Sequence, residues 1–252
     1  MSSIGAAPTA DLEALAIAIE RGQLGSTVSA TSLVSMRLAH LAEPLGQLLS
    51  LPAEALRLAL QAIVNDRRAR AAPPPELVWT GPETVSSSAR DTSIVLREMF
   101  ASAKSSVLVA GFSFDHGDEI LKALHEAIAL RGVRAAVFAH FDRCSESSTD
   151  LEAYARKCGA EFLRDCWSLG PPYPELYYDP RTLPSKSIVS MHAKCVVVDT
   201  RTAFITSANF TDRGQTRNIE VGVRIDDPPF ARELEAHWWG LVSAGALREV
   251  IV

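Results

Sequence analysis

The chain has 252 residues, of which 47 % are apolar and 22 % charged, the balance of an ordinary globular protein. No apolar run approaches the roughly 20 residues that a membrane span requires, and the first residues lack the basic region of a signal peptide, so we expect a cytoplasmic protein with no membrane span. The net charge of −5 disfavours a generally basic surface but allows a local basic cleft for nucleic acid.

The N-terminal region is predicted to be helical. Between residues 10 and 70, leucine, alanine, isoleucine and valine recur at spacings of three and four. Three consecutive prolines, Pro73 to Pro75, cannot continue a helix. We therefore predict an all-α region with a proline-rich linker over residues 1–75, and a second domain over residues 76–252.

The rest of the chain alternates between strand and helix patterns, which predicts an α/β fold with a sheet covered by helices on both faces. A proline-rich segment, residues 168–187, shows no periodicity and is predicted to be a long loop. Predicted strands cover residues 76–82, 106–114, 134–141, 160–167 and 217–225, with two more between residues 191 and 210. Predicted helices cover residues 89–105, 118–132, 149–159 and 230–245.

The four cysteines do not indicate a metal site. Their spacings differ from those of a zinc ribbon, and without a secretion signal we expect free thiols. They are Cys144, Cys158, Cys166 and Cys195. We predict neither a bound metal nor a cofactor.

One segment carries the residue types that phosphodiester cleavage requires. His192, Lys194 and Asp199 are followed, after six further residues, by Thr206-Ser207-Ala-Asn209. In an alternating strand His192 and Lys194 point to the same face. The imidazole can attack phosphorus to form a covalent phosphohistidine, while the ammonium stabilises the phosphoryl oxygens.

The remaining polar residues are predicted to support this pair. Asn209 and Ser207 can donate hydrogen bonds to the same oxygens, and Glu220 on a neighbouring strand could accept the other imidazole N–H. Asp199 lies about 16 Å from Lys194 in an extended chain. We therefore expect Asp199 to have a structural or charge-pairing role near the turn.

The pattern resembles the phospholipase D superfamily signature, HxKxxxxD followed after six residues by GSxN, with Thr206 where the family usually has glycine. Glu220 stands where the family carries a glutamate. The resemblance covers roughly residues 76–245 and implies a phospholipase-D-like mixed β-sheet flanked by helices on both faces. It also implies metal-independent phosphodiester cleavage through a phosphohistidine.

The motif occurs once, whereas one histidine cannot easily be both the nucleophile and the leaving-group acid in one step. Superfamily members use two motifs related by a twofold axis. The resemblance therefore implies a homodimer in which His192 from each chain faces a shared site.

A narrower resemblance concerns the cellular role. The helical N-terminal region, the stretch from Val78 to Pro82 and the single motif resemble phospholipase-D-like components of bacterial DISARM-type anti-phage defence. This resemblance implies a nuclease that acts on DNA alongside other defence-system proteins. Two alternatives remain: hydrolysis of a phospholipid or another small phosphodiester, and an accessory partner-binding subunit with a weakly active site.

Further candidates for substrate binding are His116, Arg213 and Arg217. The two arginines follow the motif closely and could contact phosphates. His116 could reach the substrate from the end of a predicted strand, or could belong to a turn capped by Asp118. His140 and Asp142 follow another strand and present the same two alternatives.

Overall fold

The computed structural model describes residues 4–70, 73–82, 89–115, 120–145 and 150–252. Its chain divides into two compact units, Met1–Ala72 and Pro73–Val252. No helix among these described residues is long and apolar enough to cross a membrane.

The first unit is helical, as predicted. Helices α1 and α4 pack against each other, and Leu12 on α1 and Leu56 on α4 are fully buried in the core of this unit. The Arg67 side chain donates hydrogen bonds to the carbonyl oxygens of Ile4 and Ala7, which ties α4 to the start of the described chain. The helices are α1 (Thr9–Glu20), α2 (Ala30–Ser35), α3 (Ala42–Leu45) and α4 (Ala53–Arg70).

The second unit is built on a mixed sheet, in the order β2-β1-β8-β7-β6-β3-β4-β5-β9 along the described residues. The strands are β1 (Glu76–Thr80), β2 (Arg90–Asp91), β3 (Ser106–Gly111), β4 (Arg134–Ala139), β5 (Glu175–Tyr178), β6 (Cys195–Val198), β7 (Thr202–Thr206), β8 (Glu220–Ile225) and β9 (Arg248–Glu249). The helices are α5 (Thr92–Ser102), α6 (Lys122–Arg131), α7 (Leu151–Asp165), α8 (Asp212–Thr216) and α9 (Pro228–Ser243).

Strand β3 shows why the central sheet is apolar throughout. Val107 and Val109 pack in a core with residues of α5, α6 and α7. Leu108 and Ala110, which point to the opposite face, pack in a second core with α9. The predicted α/β fold, with helices on both faces of a mixed sheet, is confirmed.

The prediction of a helix ending at Gly159 and a strand over residues 160–167 is wrong. The helix α7 continues to Asp165 and buries Ala155 and Phe162. Gly159 serves close packing instead, because a Cβ there would lie 2.8 Å from the Val252 side chain and 3.0 Å from that of Val250.

The prediction that residues 168–187 form only a loop is also wrong. Strand β5 lies within this segment and pairs in parallel with β4. Its residues Leu176, Tyr177 and Tyr178 are buried, and this burial stabilises a strand that is too short to show a periodic pattern.

The junction between β3 and β6 positions the candidate site. Strand β3 is parallel to β4 but antiparallel to β6, with Ala110 opposite Cys195. The carboxyl ends of β3 and β4 therefore meet the segment that enters β6, which contains His192 and Lys194.

Candidate active site

His192 and Lys194 lie just before β6, not within an alternating strand as the sequence predicts. Strand β6 begins at Cys195, and the Lys194 side chain turns back toward His192. Its Nζ lies 3.0 Å from Nδ1 and 3.2 Å from Nε2 of the imidazole, and it donates to the His192 carbonyl oxygen at 2.9 Å. The two side chains are therefore close together because the Lys194 side chain folds back, and not because the two residues alternate along a strand.

The two residues differ in exposure. His192 is exposed, whereas Lys194 is only 6 % exposed. Burial lowers the pKa of the Lys194 ammonium, and the negative charge of Glu220 opposes this effect. The result is a fixed positive charge beneath an accessible imidazole, at a place where a phosphoryl group could contact both.

Phe112 and His140 complete the surroundings of His192, and the sequence analysis did not assign them together. The Phe112 ring centroid lies 4.7 Å from the rings of both His140 and His192, and 5.4 Å from the Lys194 Nζ. Phe112 directly follows β3, and His140 directly follows β4, and these two buried strands are parallel. Since such strand ends share one edge of a sheet, this position is the signal that could have identified them.

His140 is held in a defined position. The His140 Nδ1 accepts a hydrogen bond from the Met191 N–H, and the backbone N–H of His140 donates to the Gly111 carbonyl. Burial lowers the pKa of His140, and the positive charge of His192 acts in the same direction, while Asp142 and Asp179 act against it. The imidazole therefore supports the backbone next to His192 in its neutral form.

Ser207 and Glu220 form a side-chain pair next to the motif. The Ser207 hydroxyl donates to the Glu220 carboxylate and accepts from the Val221 N–H. The Glu220 carboxylate also accepts from the Asn218 amide at 3.0 Å. Glu220 is predicted from the sequence to accept the imidazole N–H of His192, but in the structure its carboxylate accepts hydrogen bonds from Ser207 and Asn218.

Asn209 is positioned by the short helix α8. The Gln215 amide donates to the Asn209 carbonyl oxygen at 2.8 Å. Gly214 allows the approach, because a Cβ there would lie 2.5 Å from the same oxygen. The Asn209 Oδ1 is buried and has no partner within the described chain, so α8 fixes the Asn209 backbone through its carbonyl and not through the side-chain oxygen.

Asp199 lies at the opposite end of β6 from His192. It occupies the turn to β7 at φ 52°, as does Thr200, a left-handed conformation that aspartate tolerates better than most residues. Its carboxylate accepts hydrogen bonds from the N–H groups of Lys104, Ser105 and Ser106. These bonds attach the turn to the start of β3.

The substrate-binding candidates differ in their placement. His116 and Asp118 lie outside the described residues. Arg217 forms an ion pair with Asp212 at 2.9 Å, so its charge is largely compensated. Arg213, on the same short helix, is exposed, and the described chain provides no carboxylate partner for it.

No group of three histidine, cysteine or acidic side chains with the geometry of a metal site occurs in the described ranges. All four cysteines are free thiols.

Comparison with known proteins defines the class. The profile of the family described as "Cardiolipin synthase, PLD-like domain" matches residues 96–242, more than half of the chain. The chain belongs to this phospholipase-D-like family, and the predicted superfamily membership is confirmed.

The chain is also similar to individual proteins. It is 30 % identical to the DISARM protein DrmC of Bacillus paralicheniformis over 151 residues, which are 60 % of this chain and 56 % of that protein. The chain thus matches little more than half of the length of DrmC. The resemblance to a DISARM component is confirmed at this level.

Two solved structures are similar as well. Nuc, a phospholipase D family member from Salmonella typhimurium, is 24 % identical with a TM-score of 0.43, and the match covers 69 % of this chain and 96 % of Nuc. NucT from Helicobacter pylori is 19 % identical with a TM-score of 0.48, over 67 % of this chain and 96 % of NucT.

Proposed function

We propose that this protein is a metal-independent nuclease that cleaves phosphodiesters through a covalent phosphohistidine at His192. The observation that carries the proposal is the position of the Lys194 Nζ, 3.0 Å and 3.2 Å from the two imidazole nitrogens. A phosphorus atom attacked by His192 would have its oxygens beside this ammonium, where preorganised charge stabilises the transition state most effectively. The Asn209 amide is the proposed additional hydrogen-bond donor, and Ser207 becomes a second donor when substrate binding turns its hydroxyl from Glu220 to the phosphate.

The chemistry requires a nucleophile and a separate proton carrier. The lone pair of one imidazole nitrogen forms a P–N bond while the bond from phosphorus to the leaving oxygen breaks. That oxygen takes a proton from His192 of the partner subunit. A water molecule then gives a proton to the same imidazole and attacks phosphorus, which breaks the P–N bond and releases the phosphate monoester.

The proposed homodimer is supported by an apolar patch beside the site. Ile205, Val221 and Leu77 are 41 %, 48 % and 50 % exposed. Ile205 on β7 and Leu77 on β1 both pair with Val223 of β8. Val221 is two residues before Val223 on the same strand, so the three exposed side chains lie on one face of the sheet. Ser207 continues the same face along the chain, so a second copy covering the patch would approach the site.

The proposed substrate is nucleic acid, with DNA first. Arg213 is an exposed cation one short turn beyond Asn209, suited to contact a neighbouring phosphate. The similarity to DrmC motivates a role in DISARM-type anti-phage defence, with other proteins of that system as partners.

The decisive experiment is cleavage of single- and double-stranded DNA in EDTA by wild type and by His192→Ala. His237→Ala, which changes an exposed histidine on α9, is the matched control. Cleavage by wild type and His237→Ala but not by His192→Ala supports the proposal. Cleavage that needs added metal, or that survives in His192→Ala, contradicts it. Release of headgroups from lipid vesicles without DNA cleavage would favour the phospholipid alternative. Binding of a partner protein without cleavage of any substrate would favour the accessory-subunit alternative.

A mixing experiment tests the shared site. Wild type and His192→Ala are unfolded together, refolded in equal amounts and assayed on DNA. If both histidines serve one site, only wild-type homodimers are active. Random pairing then leaves about a quarter of the activity of a sample with the same total protein concentration in which every chain is wild type. Retention of half the activity would mean that each chain works alone.

A further inference from the structure

A cavity of about 340 Å³ lies at the same edge of the sheet as His192. One wall comes from the segments that follow β3 and β4, and the opposite wall comes from α7. Phe112 and His140 line the cavity, and the Phe112 ring also contacts the ring of His192. The remaining lining residues are Ser113, Phe114, Phe141, Asp142, Tyr154, Cys158, Glu161, Phe162, Asp165 and Cys166.

The walls of the cavity combine aromatic rings with negative charge. Phe112, Phe114 and Tyr154 provide flat apolar surface, and the carboxylates are those of Asp142, Glu161 and Asp165. The described lining contains neither lysine nor arginine. Such a wall repels a phosphate, but it suits an uncharged flat ring that stacks and donates hydrogen bonds.

The carboxylates are not equally available. Glu161 lies 3.8 Å from the Lys157 ammonium, and Asp165 is ion-paired with Arg164. Asp142 has a 92 % exposed side chain, and its carboxylate lies 3.6 Å from the His140 Nε2. Asp142 is therefore the carboxylate best placed to accept an N–H from a ligand at the mouth of the cavity.

We propose that this cavity binds one nucleobase of the substrate, from the nucleotide that adjoins the scissile phosphate, and prefers bases with an exocyclic amino group. This inference rests on the proposed nuclease function. Because a single ring, Phe112, separates the cavity from His192, a base held there places its own phosphate beside the imidazole. The exocyclic amino groups of adenine, cytosine and guanine provide donors for Asp142. Thymine provides only its N3–H, and the two carbonyl oxygens beside that N–H are repelled by the carboxylates of the cavity.

The size of the cavity also indicates whether the nucleic-acid substrate is single-stranded or double-stranded. Its volume is at the lower end of the roughly 300–1,000 Å³ of small-molecule sites, which suits one base and not a base pair. A base inside it has left any duplex. The preferred substrate is therefore a single strand or an unpaired nucleotide.

Filling the cavity tests the proposal. Cys158→Phe places a ring in the cavity from α7, and Ala160→Phe places the same ring on an exposed position of the same helix as the matched control. Substrates are single strands of deoxyadenosine, deoxycytidine or thymidine, and a strand of abasic deoxyribose phosphates, which reports phosphodiester cleavage without a base.

We expect wild type and Ala160→Phe to cleave the adenine and cytosine strands with a kcat/KM about tenfold or more above that for the thymine and abasic strands, the contribution of one well-held base. In Cys158→Phe this preference should disappear, because the KM for the adenine and cytosine strands rises toward that for the abasic strand. Equal cleavage of all strands by wild type, or a preference that survives in Cys158→Phe, overturns the proposal.

Calorimetric titration of the intact protein with adenosine separates this inference from the proposed function. Binding of adenosine that is lost in Cys158→Phe supports the base pocket even if wild type cleaves no strand. Absence of adenosine binding overturns it. Binding of choline or ethanolamine in place of adenosine also overturns it, because it would identify the cavity as a site for lipid headgroups.

Discussion

The motif residues lie at the two ends of β6, and their contacts at these two ends are of different kinds. At the start of the strand, Lys194 and His192 contact each other through side-chain atoms, and the imidazole is exposed. At the far end, the Asp199 carboxylate is satisfied by backbone N–H groups at the start of β3. The spacing from His192 to Asp199 therefore corresponds to the length of one strand, with the proposed chemistry at one end and structural support at the other.

The largest effect on activity is expected at the first end. Lys194→Gln should lower kcat/KM on DNA by roughly 10²–10³-fold, the usual cost of removing one preorganised group that stabilises the transition state. Stability should not fall in proportion, because the substitution removes a buried charge. Steady-state kinetics and urea unfolding of the same samples measure the two effects. Lys186→Gln, at an exposed lysine, is the control; retained activity in Lys194→Gln would exclude the proposed role.

The opposite pattern is expected at the second end. Asp199→Asn keeps the size of the side chain but weakens several hydrogen bonds from backbone donors, and should lower the free energy of unfolding by about 1–3 kcal/mol. Cleavage per folded molecule should change little. A loss of kcat without a loss of stability would place Asp199 in the chemistry and end the contrast between the two ends.

The same residue provides a pH test of the contrast. Burial alone would raise the pKa of Asp199, but the N–H groups of Ser106, Ser105 and Lys104 and the Ser105 hydroxyl hold it below its usual value. The unfolded chain therefore takes up the proton at a higher pH than the folded chain. The stabilisation is present above the unfolded pKa and is lost as the pH falls through the folded pKa. Urea unfolding between neutral and acidic pH should show a shallower decline in Asp199→Asn than in wild type.

His140 should show an intermediate effect on activity. His140→Phe keeps an aromatic ring on Phe112 but removes the acceptor for the Met191 N–H, so we expect kcat to fall by about 3–10-fold, as one modest hydrogen bond implies. Because the folded pKa of His140 is lowered, its neutral form supports the site above that pKa and protonation removes this support at acid pH. The variant should therefore lose activity less steeply at acid pH. An unchanged pH profile would reduce His140 to a packing residue.

The smallest effect is expected at Thr206, where the family signature usually has glycine. Its hydroxyl accepts from the Ala208 N–H and donates to the Val221 carbonyl. Thr206→Gly should cost about 1 kcal/mol of stability through these bonds and the freedom of glycine, with activity within about twofold. Thr206→Ser keeps the hydroxyl and is the control. A large gain in activity in the glycine variant would mean that Thr206 obstructs the phosphate.

The sequence predicted what depends on local patterns. The apolar run over β3 and the spacing from His192 to Asn209 identified the central sheet and the candidate residues. The error after Gly159 arose because a glycine can stop a helix or admit a neighbour, and only tertiary contact with Val250 decides between them. Phe112 and His140 were not predicted as a pair because their contact depends on two strands being adjacent, which no local period encodes.

The order of strands also has a consequence for how the protein is made. On each side of the large sheet, an earlier strand pairs with a strand from the end of the sequence: β1 pairs with β8, and β5 pairs with β9. The ribosome therefore delivers β1 well before β8 and β5 well before β9. Glu220, which begins β8, reaches Ser207 only when the sheet is nearly finished. During synthesis the growing chain exposes unpaired strand edges, the state most prone to aggregation, and the candidate site is assembled among the last parts of the domain.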